Sequence, residues 1–254
     1  MNAKSGLDGQ NILVTGGSGG IGAAIVRRLA KEGVRPIIHY GRDEAGARSL
    51  LKEIDNRGFV VQADFAQPQG ATALFTAAVD LAGRIHAVVN NAGIRTEIDV
   101  DAPLDEWQSA WQREFQVDLF AAADICRAAI AHFKANGGGR IINMGSRAGQ
   151  RGYVADCMPY GAAKAALMNL TKTIARNFGA EEIYAINIAP GWVRTDMADH
   201  FIAKNGLDAA VQEIPIKAMA ETDEVAELVT FVLQPSQRSL NGATLDINGG
   251  SYVR

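Results

Sequence analysis

Tyr160 and Lys164 stand four residues apart in a helical pattern, so both side chains lie on one helix face. A tyrosine phenol titrates at about 10 in water and is a poor base at neutral pH. An ammonium a few ångströms away favours the phenolate and lowers that value. The spacing alone fits a surface Tyr/Lys pair equally well, so its chemistry depends on what surrounds it. Ser146 follows the apolar run Arg140-Ile141-Ile142-Asn143-Met144, just past a strand's carboxyl end. That edge is where open α/β sheets place ligands.

A second constellation lies near the start, at Thr15-Gly16-Gly17-Ser18-Gly19-Gly20-Ile21-Gly22. An apolar run precedes it and a helical pattern follows, the context a dinucleotide site requires. Glycine at 16 permits a tight turn, and glycine at 20 lets backbone approach a pyrophosphate. Glycine at 22 lets the helix pack closely on the sheet, and the helix N-terminus offers N–H groups to phosphates. A flexible turn without a ligand is the alternative. After the second apolar run come Ile38-His39-Tyr40-Gly41-Arg42-Asp43. No acid ends that run to bond a ribose diol, and Arg42 is placed to meet a 2′-phosphate, which favours NADP(H) over NAD(H). Asp43 follows at once and could pair with Arg42. No His/Cys/Asp/Glu cluster has metal-ligand spacing.

These residues need a scaffold, and the chain supplies strand-sized runs alternating with helix-sized segments. The runs are residues 11–14, 35–39, 59–62, 86–89, 140–143, 185–188 and 243–247. Several are β-branched on both faces, as buried parallel strands are. Helical patterns cover residues 22–32, 45–57, 72–82 and 223–233, with longer ones around 111–133 and 160–178. Repeated β-α-β units predict a doubly wound α/β fold with a parallel seven-stranded sheet covered on both faces. With no Pro/Ser-rich linker, residues 1–254 read as one domain. The 254 residues are 48% hydrophobic and 21% charged, which excludes a mostly disordered chain. A net charge of -3 argues against a nucleic-acid binder with a broad basic face. Neither a secretory h-region nor a stretch of roughly 20 apolar residues is present, so a cytoplasmic protein with no membrane span is expected. The two cysteines, Cys126 and Cys157, read as reduced thiols.

Thr-Gly-x-x-x-Gly-x-Gly at 15–22 resembles the cofactor loop of the short-chain dehydrogenase/reductase family. Asn90-Asn91-Ala92-Gly93, Tyr160-x-x-x-Lys164, Pro190-Gly191 and the stretch 240–250 resemble that family's later motifs, in the same order. The pattern is similar to the 3-oxoacyl-[acyl-carrier-protein] reductase branch. The resemblance implies a Rossmann-type fold and hydride transfer between a nicotinamide and a carbonyl or alcohol, an acyl thioester included. It implies that Tyr160 is the general acid/base, that Lys164 lowers its pKa and holds the nicotinamide ribose, and that Ser146 bonds the substrate oxygen. It puts Asp64 on the adenine amino group, Asn90 and Ala92 along the adenosine ribose, and Thr195 on the carboxamide. Ser18, Ile21, Tyr40, Gly93, Pro190, Gly191 and Val193 complete the implied cofactor set.

Three departures matter. Asp118 stands where the family usually has a water-holding asparagine; if buried beside Lys164, it would stabilise the ammonium and weaken its effect on the tyrosine. Gly19 stands where many NADP-dependent members carry a cation. Gly137 and Glu181 stand where acyl-carrier reductases often carry basic docking residues, although Arg147 and Arg151 could substitute. Specificity is expected in residues 150–159 and in a lid over 196–215. An NAD-dependent sugar or polyol dehydrogenase and a non-catalytic cofactor sensor are the competing readings. A homo-oligomer, commonly a tetramer, is implied, pairing the long helices through Ala121, Ala122, Ala123, Ala162, Ala163, Ala165 and Ala166.

Overall fold

The structure is a computed structural model and describes residues 6–254. Seven strands form one wholly parallel sheet in the order β3-β2-β1-β4-β5-β6-β7. They are β1 (Asn11–Val14), β2 (Arg35–Tyr40), β3 (Phe59–Gln62), β4 (Ala87–Asn90), β5 (Gly139–Met144), β6 (Ile183–Pro190) and β7 (Thr244–Ile247). The expected strands all form, and β5 and β6 run further than their apolar cores suggested.

Side-chain alternation splits each strand between two cores. Ile12 and Val14 of β1 enter one core, while Leu13 enters the other. The first core is closed by α1 (Gly20–Lys31), α2 (Glu44–Glu53) and, after the later helices, α10 (Thr222–Leu233). The second is closed by α3 (Gly70–Ala82), α5 (Ala121–Ala135) and α7 (Met158–Phe178). α4 (Leu104–Phe115) runs into α5 through a wide π turn at Gln116–Phe120. The short helices α6 (Ala148–Arg151), α8 (Asp196–Asn205) and α9 (Leu207–Val211) lie near the carboxyl edge of β5 and β6.

Strand order reverses between β1 and β4, which neighbour each other although β2 and β3 intervene in sequence. The crevice at this switch point is where the turn after β1 and the segment after β4 meet.

Two helix expectations need correction. The helix predicted over 45–57 stops at Glu53, because Asp55 and Asn56 take left-handed backbone at φ 57° and 55°. The long helix read around 111–133 begins at Leu104 and is interrupted by the π turn. The stretch 196–215 holds α8 and α9, broken at Gly206 with φ 84°. Ala121, Ala122 and Ala163 are buried within the chain, Ala121 in the second core, whereas Ala165 is exposed. Cys126 and Cys157 are both buried and free. No helix among the described residues is long and apolar enough to cross a membrane.

Candidate active site

The turn after β1 is held from three sides. Thr15 Oγ1 accepts the backbone N–H groups of Asn91 and Ala92, each at 2.9 Å. The Asn91 amide donates back to the carbonyls of Thr15 and Gly16 at 2.9 and 3.2 Å. His39, in β2, accepts the Gly16 N–H at 3.1 Å on Nδ1 and reaches the Ala63 carbonyl at 3.1 Å with Nε2. That pattern requires a neutral ring with its proton on Nε2. Burial lowers the His39 pKa to about 4, with the Ala63 bond opposing. At Gly22 a Cβ would stand 2.0 Å from the Gly16 carbonyl oxygen, so only glycine fits at this place in the first turn of α1.

The α1 N-terminus has no side-chain cap at Gly19. Nothing lies within 4 Å of a Cβ built at Gly19, and one at Gly20 meets only Thr195 across the cleft, at 3.4 Å. This uncapped, open helix start fits an anionic diphosphate: the first-turn N–H groups and the positive dipole end face the space. Gly16, Gly20, Ile21, Ala92, Gly93, Pro190, Gly191, Val193 and Thr195 line a cleft of about 390 Å³ that reaches Ser146, Tyr160 and Lys164.

At the far end of that cleft Lys164, 5% exposed, donates to the Met144 carbonyl at 3.1 Å and stands 5.6 Å from the centre of the Tyr160 ring. Its Nζ is 3.0 Å from Asp118 Oδ2, an ion pair whose alignment falls short of a hydrogen bond at that oxygen. Asp118 Oδ1 accepts the Ile94 N–H at 2.7 Å. A Cβ at Gly93 would lie 2.9 Å from Asp118 Oδ2 and 3.2 Å from Lys164 Nζ, so glycine leaves the pair room. Ser146 Oγ accepts the Ala148 N–H at 3.1 Å.

Opposed influences set the protonation states. Burial raises the Tyr160 pKa; Lys164 and a hydrogen bond with Ser146 oppose it, and Asp118 and Glu114 add to it. Lys164 is raised: burial works against its charge, but Asp118 and Tyr160 outweigh burial. Burial pushes the Asp118 carboxyl up, against Lys164 and the Ile94 N–H. Glu114, one turn before Asp118 and fully buried, rises to about 7 through burial and then the Asp118 charge. The expected pairing of Asp118 with Lys164 is thus present.

Sequence reasoning missed Glu114, His39 and Asn91. Glu114 bonds the Thr96 N–H at 2.8 Å, as Asp118 bonds Ile94, so both acids hold the segment after Gly93. Their spacing of four was the available signal.

The outer cofactor residues divide. Tyr40 is buried, and Arg42 is exposed beyond the end of β2. Asp43 accepts the Gly46 N–H at 2.9 Å as the cap of α2, and among the described residues no ion pair joins it to Arg42. Asp64 is exposed after β3 and accepts the Ala66 N–H at 2.9 Å. The Asn90 side chain departs from expectation: it is buried and donates to Asn143 Oδ1 at 2.8 Å, inside the second core's face rather than along the cleft. Arg147 also departs. It is 5% exposed and lines the cleft, so it is no surface docking residue. Glu181 pairs with Lys134 at 3.3 Å. Burial holds Cys157 up at about 12, away from any role as a thiolate.

A sequence model of the short chain dehydrogenase family matches residues 10–206. A short-chain type dehydrogenase/reductase of Picea abies is 32% identical, over 96% of this chain and 93% of its own. A 3-oxoacyl-[acyl-carrier-protein] reductase of Vibrio cholerae is 30% identical, over 97% and 99%. Among solved structures, a short chain dehydrogenase of Burkholderia cenocepacia in complex with NADP superposes with a TM-score of 0.86 at 35% identity, over 96% of this chain and 98% of that one.

Proposed function

Since the chain belongs to the short-chain dehydrogenase family and is an oxidoreductase of that kind, we propose that it interconverts a carbonyl and a secondary alcohol with NADP(H). One observation carries the reading: Lys164, Tyr160 and Ser146 converge at the inner end of a cleft whose other end is an uncapped helix N-terminus. When bound there, the nicotinamide supplies or accepts the hydride.

In the reductive direction the Tyr160 O–H gives its proton to the carbonyl oxygen as charge develops on it. The Ser146 hydroxyl donates a hydrogen bond to the same oxygen. The Lys164 ammonium stabilises the phenolate left behind, and Asp118 keeps that ammonium charged. In the oxidative direction the phenolate takes the alcohol proton. Thr15, Asn91 and His39 hold the turn in shape, and the α1 N-terminus receives the diphosphate. Arg42, free of Asp43, supports the preference for a 2′-phosphate, as does the NADP bound to the Burkholderia protein. The α8–α9 segment serves as a lid that excludes water. Chains pair through α5 and α7 across a two-fold axis, and two such pairs make a homotetramer.

A 3-oxoacyl group on an acyl carrier protein, the substrate in the Vibrio protein's name, is less well supported. Arg147 is buried, Arg151 is engaged by Glu213 at 2.5 Å, and Glu181 is acidic.

NADPH and NADH oxidation with a panel of ketones tests the reading. Wild type turns over with NADPH, and Tyr160→Phe loses at least about a hundredfold in kcat. Equal rates in wild type and Tyr160→Phe would remove the acid/base assignment.

A further inference from the structure

Two guanidinium groups line the cleft beside the proposed reacting centre, and each has a buried nitrogen without an acceptor. Arg147 directly follows Ser146, and its backbone N–H donates to the Pro190 carbonyl at 3.0 Å, which pins the residue between the ends of β5 and β6. Its side chain is 5% exposed, and Nη1 is buried with no hydrogen-bond acceptor. The nearby carboxylate, Glu213, stands 3.9 Å from Nη1 and is drawn to Arg151 instead. Burial first, then Arg151, holds Arg147 below the usual arginine range, against Glu213 and Tyr153. The chain's own acids leave this cation undercompensated.

Arg95 is the second. Its guanidinium carbon lies 5.9, 5.9 and 5.8 Å from the ring centres of Tyr153, Trp192 and Phe201. One Nη2 contact reaches Glu97 at 2.9 Å, while Nε is buried without an acceptor. Tyr153 lies beside both arginines and 5.8 Å from the Tyr160 ring, linking them to the reacting end. Glu97 answers Arg95 in part, but no lining acid balances Arg147: Asp118 is taken by Lys164, and Asp196 is exposed at the start of α8.

We propose that Arg147, with Arg95, receives the carboxylate of the substrate, so the substrate is a free oxo- or hydroxy-acid with an apolar body. Buried guanidinium N–H groups without acceptors are costly, and a bound carboxylate meets them with charge-assisted bonds. One buried guanidinium nitrogen on each arginine lacks an acceptor, which suits the two oxygens of a carboxylate. A neutral thioester would leave Arg147 undercompensated and the Arg95 Nε without an acceptor. Tyr153, Trp192 and Met197 supply apolar walls for the body of the molecule.

The inference rests on the oxidoreductase reading, and two measurements keep them separable. The first compares kcat/KM for 4-oxocyclohexanecarboxylate and its methyl ester with NADPH. Wild type is expected to favour the acid at least about tenfold, the scale of one hydrogen bond to a charged group. Arg147→Leu brings that ratio to about one, Arg147→Lys keeps part of it, and Arg95→Gln reduces it. A wild-type ratio near or below one, or an unchanged ratio in folded Arg147→Leu, overturns the carboxylate and leaves the oxidoreductase standing. The second is calorimetric titration with cyclohexanecarboxylate and cyclohexanecarboxamide, which needs no turnover. Selection of the acid by wild type and not by Arg147→Leu supports the site even where no ketone is reduced; equal binding of the two overturns it. If Arg147→Leu does not fold, wild type and Arg95→Gln decide by the same ratios.

Discussion

Asp118 Oδ2 lies 3.0 Å from Lys164 Nζ with the two side chains 0% and 6% exposed. A charge pair so buried is held in place by its surroundings more than by its own attraction. Here the surroundings are the Ile94 N–H on the acid and the Met144 carbonyl on the base. The carboxylate raises Lys164 and opposes its influence on Tyr160. Asp118→Asn removes that opposition, so Tyr160 titrates lower. The reductive rate should then begin to fall at lower pH, and the oxidative rate should begin to rise at lower pH. A pH–rate profile that superimposes on wild type would remove Asp118 from the proton chemistry.

Glu114 prefers its proton in the folded chain, at about 7 against 4.5 in the open chain. Its favourable contribution is therefore complete below 4.5 and lost as pH rises through 7. Glu114→Gln should match wild type near pH 5 and be more stable at pH 8.5, by up to about 3 kcal/mol. Thermal melts at the two pH values check this; a gain of equal size at both would point to packing instead.

His39 has the opposite sign. Its folded pKa is about 4 against 6.5, so the neutral ring stabilises the fold fully above 6.5. That contribution, up to about 3 kcal/mol, is lost as pH falls through 6.5 towards 4. His86 and His132 are also lowered by burial and add to the slope. His39→Gln should flatten the acid side of the Tm–pH curve and weaken NADPH binding at pH 7. An acid side as steep as that of wild type would mean that His39 is charged in the fold.

Arg42 carries the cofactor preference. Arg42→Ala should lower the NADPH-to-NADH ratio of kcat/KM about tenfold, and Arg42→Asp should lower it further by repelling the 2′-phosphate. Unchanged ratios in both would place the selectivity elsewhere on the turn.

Much of this was legible in the residues. Apolar runs marked the strands, because parallel strands covered on both faces are apolar on both faces. The glycine turn was legible because its chemistry is backbone chemistry. Asn90 was legible in principle: Val89 faces the first core, so Asn90, next along β4, must face the second, opposite its register partner Asn143. Arg147 was not legible, because charge in a loop says nothing about burial until the end of β6 is seen to hold that loop. The Glu114 and Asp118 pairing was hidden for another reason. Their two N–H donors, Thr96 and Ile94, belong to a segment some twenty residues earlier that only the fold brings near.

The π turn at Gln116–Phe120 acts as an angular offset within one continuous rod. A π turn takes one residue more than an α turn, so α5 is rotated by about 100° from where an uninterrupted α helix would carry it. Deleting Gln116 would restore the regular repeat and turn α4, which carries Glu114, by about 100° against α5, which faces the sheet through Ala121, Ile125 and Ala129.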